Sequence, residues 1–187
     1  MNIMVVGVGG QGTLLTSRII GKAALAAGYD VKLSEVHGMA QRGGSVVTFV
    51  RFGEKVYEPV VEEGCVDVLI SFERLEAERY AHFLKPDGVI IVNDCRIDPM
   101  TVVIGAKTYP EGILERLSEK HKVYSIDAGA AARELGNSKV LNSVVLGLAA
   151  KYIGFSAEEW LDVVKSTVPP KTVDINVKAF KRGFETV

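Results

Sequence analysis

The 187-residue chain is 48% apolar and 24% charged, and its 22 Lys and Arg against 23 Asp and Glu leave a formal net charge of −1. That length and mix favour one globular domain and disfavour a disordered or collagen-like chain. The near-neutral balance argues against a nucleic-acid binder or a polybasic membrane-surface protein, and no apolar run approaches the roughly 20 residues of a spanning helix.

In chain order, Ile3 to Val6 reads as a short buried strand ending at Gly7. Gly7-Val8-Gly9-Gly10-Gln11-Gly12 follows, and Thr13 to Ala27 reads as a helix with Leu15, Ile19, Ala23 and Ala27 in one row. Gly28 stops it, and Val31 to Val36 is the second strand of a βαβ unit. Val46 to Phe52 is strongly β-prone, and Gly53-Glu54-Lys55 followed by Val56-Tyr57 predicts a hairpin, an antiparallel addition to the sheet. Alternation then resumes with a strand over 66–70, a helix over 73–83, turn chemistry at Lys85-Pro86-Asp87-Gly88 and a strand over 89–92. Val102 to Ile104 reads as a short strand, Pro110 to Glu119 as a helix and Val123 to Ile126 as a strand. From Ala128 the chain is helical, with segments over 141–152, 157–165 and 173–184, and Ser156 with Glu159 forms a capping box. The expected fold is α/β and Rossmann-like. It has a mostly parallel sheet with helices on both faces, an antiparallel hairpin addition and a helical C-terminal third, with residues 1–187 as a single domain.

The start of the chain, Met1 to Gly7, lacks a basic region and a small-residue cleavage site, which leads us to expect a cytoplasmic protein. Cys65 and Cys95 have no CxxC spacing, which disfavours a disulfide framework or a structural zinc, and an iron–sulfur cluster takes four thiolates. His37, His82 and His121 have no ligand-like spacing, so no metal site is expected.

Gly7, Gly9 and Gly12 satisfy G-x-G-x-x-G between a strand and a helix, the pattern of a tight turn, close backbone approach to a ligand, and helix–sheet packing. An anion can sit at such a helix N-terminus. The glycines can equally serve chain geometry alone. Gln11 is expected to project its amide where the helix meets the crevice, which weakens a dinucleotide reading. A second unusual stretch, Glu35-Val36-His37-Gly38-Met39-Ala40-Gln41-Arg42-Gly43-Gly44-Ser45, follows the second strand. Arg42, beside Gln41 and two glycines, can reach an anion, a carbonyl or a partner, or pair with a surface carboxylate. Gln11 and Gln41 can bond a carbonyl or a facing loop, or cap backbone groups. Met39 offers a soft packing surface, and His37 reads as a structural hydrogen-bonding residue. Asn142 reads first as a polar residue at a helix start and second as a contact to the glycine loops.

Together these two segments resemble the gamma-type domain of 2-oxoacid:ferredoxin oxidoreductases, and within that family the small, beta subunit of the indolepyruvate branch. The likeness extends more loosely along most of the chain, including Asn142 to Gly147. It implies a subunit that is inactive alone and contributes to oxidative decarboxylation of arylpyruvates to aryl-acetyl-CoA with reduction of ferredoxin. It also implies that thiamine diphosphate and iron–sulfur clusters sit on a large, alpha subunit, that coenzyme A is a co-substrate of the complex, and that ferredoxin is met through the complex. The isolated chain is expected to self-associate if at all only without that partner. The ligand-binding or interface residues it implies are Gly7, Gly9, Gly10, Gln11, Gly12, Gly38, Met39, Gln41, Arg42, Gly43, Gly44 and Asn142, with none catalytic. Two other readings stand beside it: an independent NAD(P)-binding oxidoreductase using the first glycine loop, and a nucleotide-binding regulatory or scaffold protein.

Overall fold

The computed structural model describes residues 1–38 and 43–186. Six strands form one sheet in the order β2-β3-β1-β4-β5-β6. They are β1 (Asn2–Val8), β2 (Asp30–His37), β3 (Ser45–Gly53), β4 (Val66–Ser71), β5 (Leu84–Asn93) and β6 (Lys122–Ile126). Strands β1, β4, β5 and β6 run parallel to one another, whereas β3 is antiparallel to both β1 and β2. The helices are α1 (Thr13–Ala26), α2 (Arg74–Tyr80), α3 (Met100–Val103), α4 (Ile113–Ser118), α5 (Ala128–Glu134), α6 (Leu141–Ala150), α7 (Ala157–Thr167) and α8 (Val173–Phe184).

Successive side chains of a strand point to opposite faces, and in β1 both sets are apolar. Ile3 and Val5 join a core with Ile19 and Ile20 of α1, Val144 of α6, Trp160 of α7 and Phe180 of α8. Met4 and Val6 join a second core on the other face with Ala77 of α2 and Ile113 of α4. Burial on both faces is why the central strands β1 and β4 read as continuous apolar runs rather than alternating ones. The helical C-terminal third lies on the α1 face, and α7 opens with the expected capping box, Ser156 accepting from the Glu159 amide and Glu159 from that of Ser156.

Five local expectations need correction. The antiparallel addition is present, but β3 pairs with β2 and wedges between β1 and β2, so the first two strands are not neighbours. No strand forms at Val56-Tyr57. There the Val56 N–H donates to the Asp30 carboxylate at 2.9 Å, and the Arg51 guanidinium donates to the carbonyls of Glu58 and Val60 at 3.1 and 2.8 Å, holding the chain as irregular backbone. Val102 to Ile104 is not a strand but belongs to α3 and its C-terminus. The Pro99 carbonyl accepts from the Val102 and Val103 amides, and with no partner strand beside them among the described residues these β-branched residues stay in a helical turn, Val103 being 65% exposed. The helix expected from Pro110 begins at Ile113, because Gly112 takes the left-handed conformation at φ 65°. Finally, β5 starts at Leu84 and absorbs the turn-like Lys85 to Gly88 segment, where its register against β4 shifts between Val66 and Val68.

Candidate functional site

Strand β1 delivers the first glycine segment to the carboxyl end of the sheet, and the antiparallel direction of β3 brings the second segment to the same place. The β1–β3 ladder ends with Val8 opposite Ser45. Beyond it the Gly9 N–H donates to the Gly44 carbonyl at 2.8 Å and the Gly43 N–H donates to the Gly9 carbonyl at 3.4 Å. Gly9 and Gly44, 35 positions apart in sequence, are thus joined backbone to backbone. Glycine is required at the turning points. A Cβ at Gly7 would lie 2.9 Å from both the Gln11 Oε1 and the Phe72 Cβ, and Gly12 caps α1 with φ +87°.

Gln11 borders the crevice, but its amide is turned onto backbone rather than left free toward a ligand. Its Oε1 accepts from the Val8 N–H at 2.7 Å and its Nε2 donates to the Phe72 carbonyl at 2.8 Å, so the amide bridges the ends of β1 and β4. Asn93, buried at the end of β5, donates to the same Phe72 carbonyl at 3.1 Å and accepts from the Ala128 N–H at 3.0 Å. A belt of two side-chain amides therefore ties β1, β4, β5 and the start of α5 together. It crosses the point between β1 and β4 where helices change face, the usual place for a dinucleotide in sheets of this kind. Open space remains on either side. A crevice of about 470 Å³ is lined by Gly9, Gly10, Gly12, Leu14, Glu35 and His37, and another of about 460 Å³ by Gly10, Gln11, Cys95, Asp127, Arg133 and Leu141.

Beneath the second segment lies a group of buried acids that pattern reading missed. Ser45, the first residue of β3, donates its hydroxyl to Glu76 of α2, and Arg79 pairs with the same carboxylate at 3.3 Å. Burial pushes the Glu76 carboxyl above its ordinary range, the Ser45 hydrogen bond and Arg79 pull it down, and Glu73 nearby adds to the rise. Glu73 caps α2 by accepting from the Glu76 amide at 3.0 Å, and also accepts from the Ile97 N–H at 3.2 Å and the Tyr109 hydroxyl. Burial, with the Glu73 bond next, pushes the Tyr109 phenol up. The enclosed space there is small, about 160 Å³, and is bordered by Gly43, Ser45, Glu73, Glu76 and Arg79. Glu73 was legible only as a helix-start residue, and nothing in the spacing links Ser45 to Glu76.

Asn142, the second residue of α6, is buried and packs on Gly12, where a Cβ would lie 3.3 Å from its amide. The structure therefore brings Asn142 to the first glycine loop. His37 is exposed, with its Nδ1 3.2 Å from the Gly38 carbonyl and its Nε2 4.0 Å from Glu35. Met39, Gln41 and Arg42 lie outside the described residues, between Gly38 and Gly43. Cys65 precedes β4 and Cys95 follows β5, so these parallel strands hold the two thiols at opposite ends of the sheet. They cannot co-ligate one cluster. Burial also raises the Cys95 thiol.

Comparison with known proteins agrees with this architecture. The chain is 44% identical to indolepyruvate oxidoreductase subunit IorB of Thermococcus kodakarensis over 190 residues, covering 98% of this chain and 94% of that one. The keto/oxoacid ferredoxin oxidoreductase gamma subunit of Geobacter sulfurreducens superposes with a TM-score of 0.72 at 27% identity, over 98% of this chain and 96% of the other. The same fold forms 30% of a longer chain in the 2-oxoglutarate:ferredoxin oxidoreductase of Magnetococcus marinus, with a TM-score of 0.75 at 22% identity over 98% of this chain. The pyruvate ferredoxin/flavodoxin oxidoreductase family model matches residues 2–186, and the chain belongs to that family.

Proposed function

We propose that this chain is the small, beta subunit of an indolepyruvate:ferredoxin oxidoreductase. The complex decarboxylates arylpyruvates oxidatively, transfers the acyl group to coenzyme A and passes the electrons to ferredoxin. The observation that carries the reading is the 44% identity to an indolepyruvate oxidoreductase subunit over nearly the full length of both chains. The chemistry of this chain supports a division of labour. Its two separated thiols do not fit an iron–sulfur cluster, so the clusters belong to a large, alpha subunit, which by the family resemblance also holds thiamine diphosphate. What this chain supplies is shape.

The joined glycine segments, braced by Gln11 and Asn93, present a rigid backbone surface to that partner and to coenzyme A. Gly7, Gly9, Gly10, Gly12 and Asn142 form its first half. Gly38, Gly43 and Gly44 belong to the second half, and Met39, Gln41 and Arg42 are assigned to the same ligand or partner contacts on their sequence setting alone. The amide belt across the β1–β4 junction gives no support to an independent NAD(P) enzyme. No described helix is long and apolar enough to cross a membrane, in keeping with a complex that works in the cytoplasm.

The test is reconstitution. The isolated chain is expected to show no turnover, and the complex with its large subunit is expected to reduce ferredoxin when given indolepyruvate and coenzyme A. Turnover by the chain alone, or a reconstituted complex inert toward arylpyruvates, overturns the reading.

A further inference from the structure

Two depressions lie side by side on the face formed by α1 and β2. The first is the 470 Å³ crevice at the glycine loop, with Leu14 in its wall. The second, about 370 Å³, is lined by Leu15, Arg18, Gly21, Lys22, Leu25 and Leu33. Strand β2 ends the sheet, so the outer edge of this face has no strand beside it among the described residues. Leu14, Leu25 and Leu33 are 39, 58 and 40% exposed along it. Single exposed leucines are ordinary, but a lined groove of them marks a binding surface. Gly21 shapes the floor, since a Cβ there would come within 2.9 Å of the Leu33 side chain that lies against α1.

The groove also carries charge. Arg18 and Lys22 stand one helical turn apart on its wall, both exposed, and neither makes an ion pair among the described residues. No acidic side chain lines this second depression. A second copy related by a two-fold axis would bring these cations against their own mates, which opposes self-association through this face. The ridge of Leu14, Arg18, Lys22 and Leu25 instead has the spacing that interdigitates with another helix.

We propose that this groove seats an amphipathic helix of the large subunit. Its apolar side covers Leu15, Leu25 and Leu33, and two of its carboxylates, one turn apart, meet Arg18 and Lys22. The inference rests on the proposed function, because it names the surface through which that partner is held.

The experiment measures the affinity of the full chain for the large subunit by calorimetry, with melting curves confirming that each variant is folded. Leu25→Asp is expected to weaken assembly by about 30-fold or more, as for a central apolar contact at an interface. The double variant Arg18→Glu/Lys22→Glu should weaken it by about 10-fold or more and flatten its salt dependence. A double reversal of equal charge on α8, Lys178→Glu/Lys181→Glu, should leave affinity within about 3-fold, separating a local contact from net charge. Unchanged affinity in the groove variants, equal loss in the α8 control, or dissociation of a homodimer with hetero-assembly intact overturns the inference alone. Failure of the unaltered chain to bind any large subunit overturns the proposed function, and this inference with it.

Discussion

Gly147 of α6 and Gly183 of α8 each face the backbone of the other's helix. A Cβ on Gly147 would overlap the Phe180 carbonyl and sit 2.8 Å from the Phe184 amide nitrogen, and one on Gly183 would overlap the Val144 carbonyl and sit 3.1 Å from the Leu148 nitrogen. The two helices cross in backbone contact because neither has a side chain at the crossing. Alanine at either position gains up to about 1 kcal/mol of helix propensity, but the overlap involves backbone that cannot rotate away. We expect Gly147→Ala and Gly183→Ala each to destabilise the chain by about 3 kcal/mol, lowering the melting midpoint by about 6–12 °C. Thermal melts followed by circular dichroism measure it, and an unchanged midpoint would show that the helices are not so close.

Gln11 offers a sharper test of the amide belt. Gln11→Glu keeps an acceptor for the Val8 N–H but sets an oxygen against the Phe72 carbonyl, where a donor now stands. The expected loss is about 2 kcal/mol at neutral pH, and it should shrink in acid, where the introduced carboxyl regains a proton to donate. Urea titrations at two pH values read both effects.

Glu76 makes stability depend on pH. Burial raises its carboxyl above the ordinary value of 4.5, against the opposing pull of Ser45 and Arg79 and with the push of Glu73. The folded chain therefore holds this proton over a window opening near 4.5 in which the unfolded chain has lost it. The associated stability is present in full below that window and is lost as pH rises through the folded-state value. Glu76→Gln is neutral throughout and keeps an acceptor for Ser45. Its melting midpoint relative to the unsubstituted chain should thus climb as pH increases through the window. A difference that is flat or falls with pH would refute the burial of a strained acid there.

Arg42 is the residue for an activity test, on the strength of its sequence setting alone. Arg42→Ala should leave the melting midpoint of the isolated chain within about 1 °C, as expected of a side chain that serves a partner or ligand rather than the fold. Turnover of the reconstituted complex should fall by about 10-fold or more, the cost of removing a charge-assisted contact. Full turnover would remove Arg42 from the interface or ligand set.

Local periodicity carried much of the fold. The last helix runs over Val173–Phe184, the range expected from the sequence, and the Ser156–Glu159 box opens α7. What the sequence could not disclose was neighbourhood. An apolar run such as Val46 to Phe52 looks the same whether it ends a sheet or lies within it, so the insertion of β3 was invisible although its strand character was plain. Val102 to Ile104 misled because β-branched residues become strand only where a ladder awaits them. At the site, the two glycine segments stood out by composition, but their direct hydrogen bonding depended on β3 running antiparallel. Gln11 had two readings open, and the carbonyl of Phe72, sixty-one residues away, decided between them.

The wedged position of β3 bears on how the chain reaches its native state. The β2–β3 pair closes over a short connection and can form in microseconds, whereas joining β3 to β1 must close a loop of over thirty residues, from Val8 to Ser45. Helix α1 must meanwhile leave a gap one strand wide between β1 and β2. Refolding should then be limited by docking of the preformed pair onto β1, and mutations at the β1–β3 seam should slow folding more than equally destabilising ones at the β2–β3 seam.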